Sequence, residues 1–311
     1  MNESDGLIPL EMLQRERLRP LDIYDLIALD IPERGVVLDP VIPEKGLAML
    51  YGARGIGKTQ LACGTSYAVA TGTKFLKWEA PKPRRVLHID GEMPASALRE
   101  RFKQIMAGAT VKPDPGMLNI LSADLMELGI GNLACPKIQA ELDLWLECVE
   151  LLVLDNLSSL TEVIRDNDAE SWNPIQHWLL RLRRRGISVV LIHHAGKNGD
   201  QRGTSRREDV LDTSLSLRRP SDYAAIEGAR FEIHFEKARG LHGDLVKPFE
   251  AKLEIRDGAT SWTIKELEDV KLARVKALME DGYSVRDIAD ETGFSKSAVQ
   301  RMRDSIKEMG D

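Results

Sequence analysis

The chain has 311 residues, of which 43% are apolar and 30% charged, a composition typical of a globular protein with about two domains. Its net charge of -6 argues against a protein coated in positive charge, although it does not exclude DNA binding by a local basic patch. No apolar run approaches the roughly 20 residues of a membrane span, and the three cysteines lack metal-ligand spacing. We therefore expect a reduced, cytoplasmic protein with no membrane partner.

The first 45 residues are polar and interrupted by prolines, which predicts an N-terminal extension over 1–45 with one weak helix, Leu21–Leu29. From Gly46 onward, short apolar runs alternate with amphipathic stretches, the pattern of an α/β domain with a doubly wound, mostly parallel sheet. Strands are predicted over Gly46–Gly52, Arg85–Gly91, Met117–Leu121, Leu151–Asp155 and Ile187–His194, and a helix over Ala169–Arg185.

After residue 208 the pattern changes to strands separated by glycine turns, at TSLSL, ARFEIHFEKA, FEAKLEI and SWTI. These strands predict an antiparallel extension of the same sheet, which ends the α/β domain at residue 266. Residues 267–311 form three short amphipathic stretches and predict a small all-α domain.

The segment GARGIGKT fits the pattern G-x-x-x-x-G-K-[ST] and lies between a predicted strand and a predicted helix. In such a loop, backbone N–H groups and the helix N-terminus bind phosphate oxygens. The alternative is a glycine-rich turn that matches the pattern by chance. We expect Lys58 to reach the β- and γ-phosphates of ATP and Thr59 to ligate Mg²⁺. The residues predicted to bind the nucleotide are Gly52, Ala53, Arg54, Gly55, Ile56, Gly57, Lys58, Thr59 and Gln60.

Two carboxylates follow predicted strands at the same edge of the sheet. Asp155 ends LLVLD, where it would hold Mg²⁺ directly or through water, or cap a helix. Glu92, in HIDGEMP, lies just past the second strand and is a candidate to orient the attacking water. Asp90 is a competing candidate for that role. The alternative for Glu92 is an acid at the start of the next helix that interacts with the helix dipole.

The order of these motifs resembles the RecA-like ATPases, particularly the plasmid RepA-type hexameric helicases and their AAA-annotated relatives, over about Ile42–Lys265. The resemblance implies that IDGEMP carries the catalytic glutamate, Glu92, and that LLVLDN is the second nucleotide motif, with Asp155. It also implies that LIHHAGK carries a γ-phosphate sensor at His194, although two ordinary strand-end histidines are the alternative.

Two basic segments match the same family. The loop KNGDQRGTSRRED resembles the loop that contacts single-stranded DNA in a central pore, which implies DNA contacts for Lys197, Arg202, Arg206 and Arg207. FEKARG resembles the segment whose basic pair reaches a neighbouring subunit's nucleotide, and it implies that role for Lys237 and Arg239. The respective alternatives are a solvated surface loop and an exposed basic pair. Because the basic pair would act on a neighbouring subunit, the resemblance implies a homo-oligomer, expected to be a hexamer.

The segment after residue 271 has the spacing of a helix-turn-helix, with Gly293 at the turn, and resembles that of resolvases. A module that binds protein instead of DNA is the alternative. The residues expected to contact duplex DNA are Lys296, Ser297, Gln300, Arg301 and Arg303.

Together these features predict an ATP-hydrolysing oligomeric motor that acts on DNA, most concretely a replication helicase of a plasmid, phage or other mobile element. The alternative is a nucleotide-switched DNA-binding regulator, or a recombination accessory ATPase, without unwinding activity.

Overall fold

The structure of the protein is a computed structural model that describes residues 20–161, 169–195 and 206–308. The chain divides between Gly35 and Val36 into two compact units. The described part of the first unit contains helix α1 (Ile23–Ile27), which begins where the Asp22 carboxylate accepts a hydrogen bond from the backbone N–H of Tyr24. This helix lies within the predicted one.

The strands of the second unit are short and separated by helices over most of its length. In chain order the described strands are β1 (Val36–Leu38), β2 (Ile42–Pro43), β3 (Leu47–Gly52), β4 (Lys74–Phe75), β5 (Trp78–Glu79), β6 (Val86–Asp90), β7 (Leu118–Ser122), β8 (Leu151–Asp155), β9 (Ser188–His194), β10 (Thr213–Arg218), β11 (Arg230–Ala238), β12 (Phe249–Arg256) and β13 (Ala259–Glu266). The helices are α2 (Lys58–Thr71), α3 (Ala95–Gly108), α4 (Pro136–Asp143), α5 (Leu157–Leu160), α6 (Ala169–Arg184), α7 (Arg206–Asp209), α8 (Leu267–Glu280), α9 (Val285–Thr292) and α10 (Lys296–Glu308).

The main sheet of the described residues has the strand order β13-β12-β11-β10-β3-β9-β8-β6-β7. Strands β10, β3, β9, β8, β6 and β7 run parallel to one another, whereas β11, β12 and β13 are added antiparallel. The predicted α/β fold with a mostly parallel sheet and an antiparallel extension is confirmed. The extension becomes antiparallel one strand later than expected, because β10 runs parallel to β3.

Alternate side chains of the central strands point to opposite faces of the sheet, and helices cover both faces. On β3, Ala48 and Leu50 belong to an apolar cluster that includes residues of α2. Leu47 and Met49 belong to a second cluster, which includes the buried side chains of α6. The nearly continuous apolar runs of the sequence therefore correspond to strands buried on both sides.

The hairpin β1–β2 falls within the predicted N-terminal extension, yet its side chains Val37 and Ile42 are buried in the cluster shared with α2. The buried guanidinium of Arg84 secures it, donating hydrogen bonds to the Val36 carbonyl (3.1 Å) and to the carboxylates of Glu44 and Glu150. Two- and three-residue strands carry too little periodicity to be recognised in the sequence.

Helices α8, α9 and α10 have a small apolar core of their own, in which Val275, Ile288 and Val299 are fully buried. The side chain of Ser284 caps α9 by accepting a hydrogen bond from the backbone N–H of Asp287. Gly293 ends α9 in the left-handed conformation, at φ +72°. The three predicted C-terminal helices are therefore present.

Within the described parts of the chain, no helix combines the length and the apolar character that crossing a membrane requires.

Helix α2 passes so close to the hairpin β4–β5 that a side chain at position 64 would clash with it. A methyl group at Gly64 would lie 2.3 Å from ring carbons of Phe75. That ring packs edge-on against Trp78 and Trp262, with ring centroids 6.4 and 5.9 Å away, so a shift of Phe75 would disturb both contacts.

We expect Gly64→Ala to lower the free energy of unfolding by about 1–3 kcal/mol, because overpacking against Phe75 outweighs the better helix propensity of alanine. Urea denaturation measures this difference. In a Phe75→Leu background the same substitution should cost much less, since the clash is with the aromatic ring. An equal cost in both backgrounds would show that the ring is not the obstacle.

Candidate active site

The predicted phosphate-binding segment forms the turn between β3 and α2. Gly55 and Gly57 adopt φ angles of +71° and +118°, which other residues rarely adopt. A Cβ at Gly57 would also lie 2.9 Å from the ring of Phe231. The side chain of Ile56 is buried and anchors the turn, while Ala53 is exposed at its tip. Glycines are therefore required both for the conformation and for the close packing of the loop.

Lys58, the first residue of α2, directs its ammonium group back into this turn. The group is buried and donates hydrogen bonds to the carbonyls of Gly52 (2.9 Å) and Ala53 (2.8 Å). Burial lowers the pKa of Lys58 to about 8, and the negative charges of Asp155 and Glu92 oppose this shift. A positive charge is thereby held at the centre of the loop.

Asp155, the last residue of β8, is buried next to Lys58. Burial raises the pKa of Asp155 to about 7, and a hydrogen bond with the side chain of Thr59 opposes this rise. Its Oδ2 atom is buried and makes no hydrogen bond within the described part of the chain. Because buried carboxylate oxygens are normally paired, this atom fits a Mg²⁺ ion or a water bound to it. The residues present therefore suit the cation that the motifs predict.

Asp90 and Glu92 have different surroundings although they lie two residues apart. Asp90 is buried, and its Oδ1 accepts hydrogen bonds from the backbone N–H groups of Glu92 (3.1 Å) and Met93 (2.7 Å). Burial raises the pKa of Asp90, while these two hydrogen bonds act against the rise. Its carboxylate therefore shapes the turn after β6, whereas the side chain of Glu92 is 61% exposed at the sheet edge.

Two side chains meet the carboxylate of Glu92. The amide of Asn156, just before α5, donates a hydrogen bond to its Oε2 atom. The Nε2 atom of His194, at the end of β9, lies 3.8 Å from the same oxygen. His194 is level with Gly52 of β3 in the sheet, and the neighbouring Ala195 N–H donates to the Gly52 carbonyl. The fold thus brings Glu92 and His194 together beside the phosphate loop.

Asn156 was not among the predicted site residues, although it ends the quoted motif LLVLDN. Its side chain is 3% exposed and also caps α5 by accepting a hydrogen bond from the N–H of Ser159. The peptide bond between Asp155 and Asn156 is cis. The only sequence signal for this residue is its position directly after the acid.

Arg219 is a second residue that the sequence analysis missed. Its guanidinium donates hydrogen bonds to the Gly55 carbonyl (2.8 Å) and to the carbonyls of Gly228 and Arg230, and it stacks on Tyr223 at 3.8 Å. The connection between β10 and β11 is therefore fastened to the tip of the phosphate loop. No motif surrounds Arg219, and its partner in the loop is 164 residues away in sequence.

Lys237 and Arg239 lie at the opposite edge of the sheet. Lys237 pairs with Ser214, which is level with Met49 and therefore about 10 Å along β3 from Gly52. Both side chains donate to main-chain carbonyls at the end of α7, Arg239 to that of Asp209 at 2.6 Å. Burial lowers the pKa of Lys237, and the positive charge of Arg239 adds to this effect. The structure does not bring this pair to the chain's own phosphate loop.

The predicted DNA-contacting residues divide into two groups. Lys197 and Arg202 lie outside the described residues, and Arg206 and Arg207 belong to α7, with side chains that are not described. On α10, the side chains of Lys296, Ser297, Gln300 and Arg301 are exposed. Arg303 is partly buried, and Gln300 donates a hydrogen bond to Asp304 (2.8 Å).

Comparison with known proteins identifies one family model, AAA_25, described as an AAA domain, which matches residues 13–200. No curated protein matches the chain. The KaiC-like protein PH0186 from Pyrococcus horikoshii OT3 is similar in structure, with a TM-score of 0.50 and 16% identity over 72% of this chain and 94% of that one. The flagellar accessory protein FlaH from Methanocaldococcus jannaschii has a TM-score of 0.49 and 10% identity, over 72% and 92% of the two chains.

The lowered pKa of Lys58 predicts that affinity for ATP falls as the pH rises. Only the protonated side chain attracts phosphate, so binding should be about tenfold weaker at pH 9 than at pH 7. Titration with a fluorescent ATP analogue measures this dependence. Lys58→Arg, which stays charged throughout this range, should show no such decline whatever its affinity at pH 7. The same decline in both proteins would mean that another group titrates.

Proposed function

We propose that this chain, which belongs to the family of AAA domains, is an ATP-hydrolysing oligomeric motor that acts on DNA. The observation that carries the proposal is the buried pair of Lys58 and Asp155 at a glycine-rich strand-to-helix turn, with Glu92 at its rim. A cation and an acid in these positions are suited to the phosphates of a nucleotide and to its Mg²⁺ ion.

Each residue of the site has a distinct part in nucleotide binding. The backbone of the turn and the N-terminus of α2 bind phosphate oxygens, and Lys58 adds a full positive charge. Thr59 and Asp155 would hold Mg²⁺, which neutralises negative charge on the phosphates when bound. The burial of both Lys58 and Asp155 strengthens these interactions, because little water screens them.

Glu92 is the residue we assign to water activation. Its carboxylate is accessible and held from two sides by Asn156 and His194, whereas the carboxylate of Asp90 is committed to the turn. A positioned carboxylate can accept a proton from the attacking water or orient it. His194 lies between this carboxylate and the strand that precedes the phosphate loop, which supports a role in sensing the γ-phosphate.

Oligomerisation is part of the proposal because the basic pair Lys237 and Arg239 is remote from the chain's own phosphate loop. Such a pair would stabilise charge on the transferring phosphoryl group only in a neighbouring subunit. A closed ring, expected to be a hexamer, provides each site with one such neighbour. The pair also contacts the end of α7, directly after the basic segment that we assign to single-stranded DNA.

Two regions would contact DNA. Lys197, Arg202, Arg206 and Arg207 would bind backbone phosphates of a single strand inside the ring. The exposed polar face of α10 would bind duplex DNA in the manner of a recognition helix, which suggests recruitment to a site such as an origin. The concrete function is then a replication helicase of a plasmid, phage or other mobile element.

The self-contained apolar core of α8, α9 and α10 favours one alternative. A module that folds around its own core can act as a sequence-specific DNA reader, with ATP controlling assembly instead of translocation. The chain would then be a nucleotide-switched regulator or a recombination accessory protein.

Glu92→Gln is expected to bind ATP with nearly unchanged affinity but to hydrolyse it at least about 100-fold more slowly, since the amide cannot accept a proton. Phosphate release measures turnover, and a fluorescent nucleotide measures binding. Glu100→Gln, an exposed acid on α3, is the matched control and should retain turnover. Full turnover by the Glu92 variant would remove the assigned role.

The helicase is tested by strand separation on a forked DNA in the presence of ATP. Replacing Lys197, Arg202, Arg206 and Arg207 by alanine should abolish single-strand binding and unwinding, because these side chains are assigned to the phosphate contacts. The control replaces four exposed basic residues elsewhere, Arg99, Lys103, Lys137 and Arg184. Two results together would favour the regulator instead. A well-folded, ATP-hydrolysing oligomer would not unwind the fork, and it would bind one preferred duplex sequence that the quadruple change leaves unaffected.

A further inference from the structure

Three buried side chains lie close together in the interior of the fold. Asp90 of β6 and Asp155 of β8 face each other across neighbouring parallel strands. His88 lies two residues before Asp90 and therefore on the same face of the sheet. One potential ligand atom from each residue lies within 4.8 Å of the other two, and all three residues are buried. A nitrogen and two carboxylates are thus grouped in the interior of the fold.

The ring of His88 is held firmly but is only half satisfied. Its Nδ1 atom shares a 2.8 Å hydrogen bond with the Ser66 hydroxyl, and Phe102 packs edge-on at 5.7 Å between ring centroids. Its Nε2 atom is fully buried and makes no hydrogen bond with any described residue. In the tautomer in which Nδ1–H donates to the Ser66 hydroxyl, the lone pair of Nε2 is left for a ligand.

Asp155, in the same cluster, also carries an unpaired atom. Its Oδ2 is buried and, like Nε2 of His88, has no hydrogen-bond partner in the described part of the chain. Two such atoms in one buried cluster are unusual, because nine in ten or more buried polar atoms find a partner. Lys58 is nearby, but its hydrogen bonds go to the carbonyls of Gly52 and Ala53.

We propose that His88, Asp90 and Asp155 form a divalent-cation site that loads without nucleotide and takes a first-row transition metal in preference to Mg²⁺. One imidazole nitrogen and two carboxylates suit ions such as Zn²⁺ and Mn²⁺. Mg²⁺ instead takes oxygen ligands in near-ideal octahedral geometry and gives up its water reluctantly. The Ser66 hydroxyl, which fixes the orientation of the ring, is the outer partner that metal-binding histidines usually have.

This site differs from the proposed Mg²⁺ position at Thr59 and Asp155, although the two share Asp155. It does not depend on ATP hydrolysis, and an inactive ATPase would leave it intact. The three ligand residues are buried and all belong to this chain, so no nucleotide oxygen is part of the proposed ligand set.

The test is titration of the nucleotide-free full chain with Mn²⁺, followed by the electron paramagnetic resonance signal of the free ion. We expect one Mn²⁺ per chain, nitrogen coupling from a coordinated imidazole in pulsed spectra, and displacement by Zn²⁺ at lower concentration than by Mg²⁺. Absence of binding by the unaltered protein, or bound Mn²⁺ without nitrogen coupling, would overturn the proposal.

Two variants locate the site. His88→Gln should remove the nitrogen coupling and weaken Mn²⁺ binding at least about tenfold, whereas His177→Gln, on an exposed position of α6, should change neither. Asp90→Asn nearly preserves volume and should weaken binding similarly, which keeps the test decisive if the His88 variant lacks a cooperative melting transition. Retained binding in a folded His88→Gln or Asp90→Asn protein would contradict the site. Binding of ATP with Mg²⁺, measured on the same samples, tests the nucleotide site separately. Failure of the proposed cation site is thereby distinguished from failure of the proposed ATPase.

Discussion

The candidate site depends on the interaction of the buried Lys58 ammonium group with the phosphate loop. Its charge is unfavourable in the interior, as the lowered pKa shows, and it is retained by two loop carbonyls and the nearby carboxylate of Asp155. The glycines of the turn allow these carbonyls to approach the side chain, since Gly57 has both a positive φ and no room for a Cβ. The turn is thus shaped around one cation, and that cation is directed to where phosphate would bind.

The parallel sheet supplies the rest of the site from separate strands. Gly52, Asp155 and His194 end β3, β8 and β9 at one edge, where ligands of open α/β sheets bind. The basic pair at the end of β11 lies at the other edge, because β11 runs antiparallel to its neighbour. One chain therefore contains both halves of the proposed catalytic arrangement but cannot bring them together. Under the proposed function, activity therefore requires assembly, whereas the buried His88 cluster lies wholly within one chain.

The sequence predicted the parts of the site that depend on local pattern. The phosphate loop and Asp155 belong to contiguous motifs, and long apolar runs marked the central strands. The family resemblance favoured Glu92 over Asp90, and the structure adds a physical difference that spacing alone does not show, because Asp90 is buried and the side chain of Glu92 is exposed. Arg219 was missed because its partner in the phosphate loop, Gly55, is 164 residues away in sequence. The short hairpin β1–β2 was assigned to the extension because its burial depends on distant partners such as Arg84.

The most direct test of the account is the ATPase activity of mixed inactive subunits. Arg239→Ala retains its phosphate loop and Lys58→Ala retains its basic pair, and each alone should be inactive. An equal mixture should recover about a quarter of the unaltered activity, since a quarter of the interfaces in a ring combine an intact loop with an intact pair. Recovery would establish a site shared between two subunits. Mixed oligomers without any recovery would contradict it.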